Sequence, residues 1–301
     1  MKAALVIALK VLGLAVLLFI CYAVAAPILG PQAGAQTPQE AAQGAVALLV
    51  VCLLDAIVIT YLILQSRWSG WRLMAAVFVV FYGVVTFMPQ IESAVFLTKL
   101  PAGMVPRLFI MGLAIAAPFA VLAVLILGKA KSVATTEPDA RLTMPAGEWA
   151  WKLAITAVVY VVLYFTFGYY VAWQSPDVRA YYGGTDPGSF VAQMGTVFRD
   201  RPWLVPFQLL RGLLWAAIAV PVVRMMRGSW QETALALGAL FAIVMNAQLL
   251  LPNPYMPEAV RMAHMLETAS SNFIFGCFVG WLLTPSALRT SFPRAAVADG
   301  A

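Results

Sequence analysis

The sequence predicts an all-α integral membrane protein of about eight transmembrane helices. Three observations lead there. Hydrophobic residues make up 62% of the 301-residue chain and charged residues only 11%, where a soluble domain carries about 25% charged. Mean hydropathy is +0.87. Apolar runs near the ~20 residues needed to cross a bilayer recur along the whole chain. Lipid offers no partner to an unpaired peptide group, so these runs are helices. The net charge of +6 then reports orientation in the membrane and not nucleic-acid binding.

Eight spans follow, at about 6–28, 45–65, 72–88, 107–128, 150–173, 203–224, 231–251 and 268–285. Helix breakers separate them: Gly30-Pro31, Ser69-Gly70, Pro101-Ala102-Gly103, Gly183-Gly184, Gly228 and Pro252-Asn253-Pro254. The first span also resembles a cleavable signal peptide, with Met1-Lys2 ahead of it and Ala23-Val24-Ala25 near its end. Lys10 interrupts that stretch and leaves Val11–Leu29 apolar. That is long for a signal core and right for a span, so the segment is expected to be retained.

Basic residues orient the chain. With the N-terminus inside, six of the nineteen Lys and Arg fall outside: Lys99, Arg107, Arg179, Arg199, Arg201 and Arg261. Arg211 lies within a span and the other twelve lie inside. The first outer loop, Gly30–Gly44, has none. This bias places both termini in the cytoplasm of a bacterial-type inner membrane.

Spans 1–4 can be laid on spans 5–8. Lys10, Ala15, Val16 and Tyr22 pair with Lys152, Ala157, Val158 and Tyr164. Leu53-Leu54-Asp55 pairs with Leu209-Leu210-Arg211, and Trp71 and Ala75 with Trp230 and Ala234. Phe109-Ile110 and Gly112 pair with Phe273-Ile274 and Gly276. The offset grows steadily, as small insertions require. Two parallel four-helix repeats are the expectation, against chance similarity between Leu/Ala/Val-rich helices. The organisation expected is a first half at 1–130, a cytoplasmic linker at 131–147, a second half at 148–286 and a mobile tail at 287–301.

Asp55 and Arg211 are charges at bilayer depth, each costing at least about 2.5–3.5 kcal/mol unless paired or wetted. The repeat makes them counterparts at one depth, and the expectation is an intramembrane charge pair across the interface of the halves. Arg suits a carboxylate bidentately. Such a pair is either a static register device or a coupling site, and a third arrangement leaves each in its own wet cleft.

A second polar concentration lies nearer the outer face. At helical pitch Arg261, His264, Thr268, Ser271 and Asn272 share one face, flanked by Glu267. In the first half, Tyr82, Thr86, Gln90 and Ser93 form a stripe with Glu92 beside it, and Pro89 is expected to kink the helix. Gln90, Glu92, Arg261, His264, Glu267, Thr268, Ser271 and Asn272 are therefore candidates to line one outward-facing pocket, or else an ordinary interfacial rim. His264, the only histidine, with Glu267 and Glu92 are the catalytic candidates, because imidazole moves protons near neutrality. The loop 174–202 contains a helix start at Ser175-Pro176-Asp177 and an amphipathic stretch, Ser189–Arg199, fit to lie on the membrane or cap the pocket.

No metal or cofactor is expected. One histidine and scattered Cys21, Cys52 and Cys277 form no ligand cluster. The expected surroundings are the lipid bilayer, a small-molecule or lipid substrate and, in one reading, a protein partner; nucleic acid is not expected. Three functions are compatible: a small-solute permease with a polar centre between two repeats, a membrane-embedded enzyme acting on a lipid or lipid-linked substrate at the outer face, and a non-catalytic assembly or sensor subunit.

Overall fold

The computed structural model describes residues 2–30, 37–97, 100–131 and 144–285. Most of the expected linker and the whole of the expected tail lie outside the described residues. Eight helices are long and apolar enough to cross a membrane, and with no strand among the described residues they make an all-α membrane protein. They are α1 (Lys2–Leu29), α2 (Pro38–Leu64), α3 (Gly70–Phe96), α4 (Met104–Ile126) and α5 (Ala146–Gln174). Two short helices follow, α6 (Pro176–Tyr182) and α7 (Phe190–Asp200). The last three spans are α8 (Leu204–Met225), α9 (Trp230–Leu250) and α10 (Glu258–Leu283).

Local chemistry sets the helix starts. Thr37 opens α2 and Ser229 opens α9 with reciprocal capping boxes to Glu40 and Glu232. Ser175 caps α6 at the start the loop sequence predicts, and Ser189 caps α7 where the amphipathic stretch begins. Gly183, at φ 71°, ends α6 in a left-handed turn.

Two helices, α2 and α3, extend well beyond their expected spans, α2 beginning at Pro38 where the Thr37 capping box starts it seven residues ahead of the apolar run at 45. The apolar run at 72–88 continues through Pro89 to Phe96. Pro89 cannot donate a helical hydrogen bond, and the turn before it, Gly83–Phe87, widens to π geometry, with the Met88 amide donating to Gly83. A hydropathy window misses the end of α3 because it is amphipathic and faces protein. The polar segment at 255–272 runs into the eighth span as expected, in one helix that begins at Glu258, ten residues before the apolar core at 268.

The helices pack in a pattern that recurs. α1 lies against α2 and α4, and α3 against α4; α5 lies against α8 and α10, and α9 against α10. Between these groups α3 meets α8 and α2 meets α9. α9 also widens to π geometry, at Leu240–Val244. There the Asn246 amide donates to the Ala242 carbonyl at 2.9 Å. At the end of the bundle where α1 begins, the chain after α2 crosses the chain after α8. Arg67 N donates to Met225 O at 2.7 Å and Arg227 N to Gln65 O at 2.9 Å. Each bond is the other moved by 160 residues. Lys129 Nζ caps the crossing on Ser66 O at 2.8 Å.

The core around these contacts is apolar, with Leu14, Leu18, Ile59, Ile63, Phe81, Phe119, Trp215 and Phe241 fully or almost fully buried. Lipid gives no hydrophobic drive between helices, so close backbone approach carries the packing. Gly276 and Gly280 of α10 lie directly on α9: a methyl group at Gly276 would sit 2.5 Å from the Leu237 carbonyl oxygen. Gly276→Ala is therefore expected to lower the thermal midpoint in detergent, at an overpacking cost of about 1–3 kcal/mol. Gly13→Ala, with nothing within 4 Å, is the silent control. Equal midpoints for the two variants would refute the tight α9–α10 contact.

Candidate functional site

The described structure contains one large cavity, of about 880 Å³, walled by α3 and α5 to α10. It reaches from the loop residues Gly184–Pro187, Asn253 and Met256 down to Tyr160, Arg211 and Phe275. Asn272 is about 20 Å along α10 from Glu258, so the cavity reaches well into the spans. Its lining mixes aromatic and aliphatic side chains with a few converging polar groups, the composition of a small-molecule site.

Arg211 is the most buried of the charged residues that line the cavity. Its Nη2 lies 2.7 Å from Glu92 Oε2 and its Nη1 3.2 Å from Glu92 Oε1, a bidentate pair joining α8 to α3. Gln208 Oε1, one turn earlier on α8, accepts from Nη1 at 3.0 Å. The guanidinium also lies over the Tyr160 ring at 5.5 Å. Arg211 is 2% exposed at its side chain whereas Glu92 is 30% exposed, so the carboxylate is the member that faces the cavity.

His264 sits between two partners. Its Nδ1 is 2.8 Å from Glu267 Oε2 and its Nε2 is 3.2 Å from the Tyr182 hydroxyl. Burial, with Glu92 acting in the same direction, holds the Tyr182 phenol well above its usual range. Tyr182 therefore keeps its proton, and the direction of its bond to Nε2 follows the tautomer of the ring. Tyr181 ties α6 down beside it by donating to Tyr255 O at 2.6 Å. Thr268 donates to Asn246 Oδ1 and to the His264 carbonyl.

The expected site residues divide three ways. Gln90, Glu92, His264, Glu267, Thr268, Ser271 and Asn272 all line the cavity. Arg261 does not: it is buried and donates to the carbonyls of Leu249 and Leu251, closing the end of α9. The Asp55–Arg211 pair is corrected. Arg211 spends its fork on Glu92, and both carboxylate oxygens of Asp55 are buried with no hydrogen-bond partner. The expected pairing rested on a sequence offset, and residues that match by offset need not touch.

Sequence reasoning passed over Tyr164, Tyr182, Asn246, Gln248 and Gln208. Gln208 stood three residues before Arg211, a spacing that shares a helix face. The others come from separate elements and carried no such signal. Neither serine near His264 meets its ring: Ser270 donates to the Leu266 and Glu267 carbonyls and Ser271 to the Thr268 carbonyl. Among the described residues no group of three His, Cys, Asp or Glu side chains converges to hold a metal.

No family model, curated protein or solved structure matches this chain. The geometry is thus the whole basis for a functional reading.

Removing one partner of a buried pair strands the other charge. Glu92→Gln is expected to cost about 3–5 kcal/mol in unfolding from mixed micelles, with part of the loss recovered in Glu92→Gln/Arg211→Gln. Asp55→Asn shares no partner with Arg211, so its effect should add to that of Arg211→Gln within about 0.5 kcal/mol. A larger coupling between Asp55 and Arg211 would restore the direct pair.

Proposed function

We propose that the protein is a small-solute permease whose binding chamber is the 880 Å³ cavity, reached from the face that carries α6 and α7. The observation that carries this reading is a cavity at span depth with a bidentate ion pair in its wall. Charges inside a membrane protein are expensive, and a water-accessible substrate path is their usual setting. Parallel repeats support the same reading. The recurring packing of α1–α4 and α5–α10, the reciprocal hydrogen bonds of Arg67 and Arg227, and the π segments of α3 and α9 all fit two related halves. π widening also occurs often at functional positions in helices. In this reading the crossing at Ser66 and Met226 closes the opposite face, with both termini in the cytoplasm.

One observation favours a second reading, an enzyme acting on a lipid-linked substrate at the same face. His264, held between Glu267 and Tyr182, is oriented as general acids and bases are.

Purified protein in proteoliposomes separates the two. Uptake of at least one solute from a labelled panel of amino acids, sugars, nucleosides, organic cations and organic anions is expected, and Arg211→Gln should abolish it. His264→Gln should leave some uptake. Tight vesicles that take up no solute above empty-vesicle levels count against transport. Turnover of extracted membrane lipid that disappears in His264→Gln would replace transport with catalysis.

A further inference from the structure

We propose that Asp55 is a proton-binding site in the first half of the protein, held as the neutral acid at rest and exchanging its proton with the cavity by way of Tyr22, Gln248 and Gln90. This goes beyond the transport reading and does not depend on it.

Asp55 lies near the middle of α2 and is 0% exposed. Neither of its oxygens has a hydrogen-bond partner. An ionised carboxylate in that state is far more costly than a neutral one, so the resting form is the acid. The groups that face it are few. α1 brings Tyr22, with Cys21 beyond it, and Cys52 lies one turn back on α2 itself. α3, though packed on α2, brings no titratable group to it. Beyond Tyr22, α9 supplies the amide of Gln248, whose Nε2 donates to the Tyr22 hydroxyl at 3.0 Å.

The comparison with Arg211 explains the choice of groups. The same offset that carries Asp55 onto Arg211 carries Gln248 back onto Glu92. In the second half a charged position is met by a charged partner. In the first half the corresponding position is an acid without a partner, and the Tyr22 phenol and the Gln248 amide bound to it are groups that suit either form of that acid.

A route outward is present. Gln90 and Gln248 line the large cavity and also a second chamber of about 30 Å³, which Tyr22 borders. That volume is enough for a water molecule. The Gln90 Oε1 atom is buried without a partner at this wall. On release, the Asp55 O–H bond breaks and its proton passes to the Tyr22 hydroxyl oxygen while the hydroxyl's own proton leaves to water in the chamber, which Tyr22 borders, and on to the cavity. The carboxylate left behind gains donors as the Tyr22 hydroxyl and the Gln248 amide turn toward it. Uptake reverses each step.

Infrared spectra of the purified protein in lipid nanodiscs test this. At neutral pH a carboxylic-acid C=O band is expected that Asp55→Asn removes and Glu92→Gln keeps. The band should shift in deuterated water and be lost as pH rises with the protein still folded. Tyr22→Phe and Gln248→Leu keep the acid and should shift its band, which preserves the test if Asp55→Asn fails to fold. Loss of no band in Asp55→Asn, or no shift in either neighbour variant, overturns the assignment. A band that neither exchanges in deuterated water nor titrates makes Asp55 a locked structural acid. A failed transport assay with this band present would remove the permease reading alone.

Discussion

The Glu92–Arg211 ion pair organises the interior of this protein. A guanidinium buried at span depth must keep its counter-ion, and here the counter-ion comes from another helix and the other half of the chain. That requirement fixes how α3 stands against α8. It also holds α3 helical past Pro89, because Glu92 reaches Arg211 only if the helix continues beyond the proline. The π turn at Gly83–Phe87 makes the continuation possible by absorbing the lost hydrogen bond. Pair, proline and π turn are thus one arrangement. The partly exposed carboxylate leaves the pair stable yet in contact with the cavity.

Around this pair the two sets of helices pack alike but enclose different volumes. Tyr22 and Tyr164 are counterparts by sequence offset, yet Tyr22 borders a chamber of about 30 Å³ and Tyr164 a cavity of about 880 Å³. The difference lies in what covers them. α6 and α7 stand over the second set, and α6 docks through Val178 against Ala172 and Val260. The side chains of Gln90 and Gln248 line both volumes and form their common wall.

Much of the architecture was legible in the chain. Every span expected from hydropathy has a helix at its place, because lipid leaves a backbone of this composition no alternative. The helix start at Ser175 followed from a side chain that acts within one turn. Glu92, His264, Glu267 and Asn272 were legible as polar groups too costly to leave without a purpose. Span ends were less so. The last turns of α3 are amphipathic, and an apolar window stops short of them, whereas the first turns of α10 were legible from a polar stripe at helical pitch.

The partners were not legible. Arg211 matched Asp55 by offset and Glu92 by geometry, and Arg261 belonged to the pocket by helical face and to the end of α9 by contact. The sequence by itself determined that the chain crosses a membrane as helices, and that it carries charges there which need compensation. Both follow from transfer free energies, which depend on composition and local pattern. Only the tertiary structure decided which acid compensates Arg211, that Asp55 is left without a partner, and that the polar stripes of α3 and α10 face one cavity. Those outcomes depend on the rotation and register of one helix against another, which side-chain packing and close glycine contacts set across distant parts of the chain.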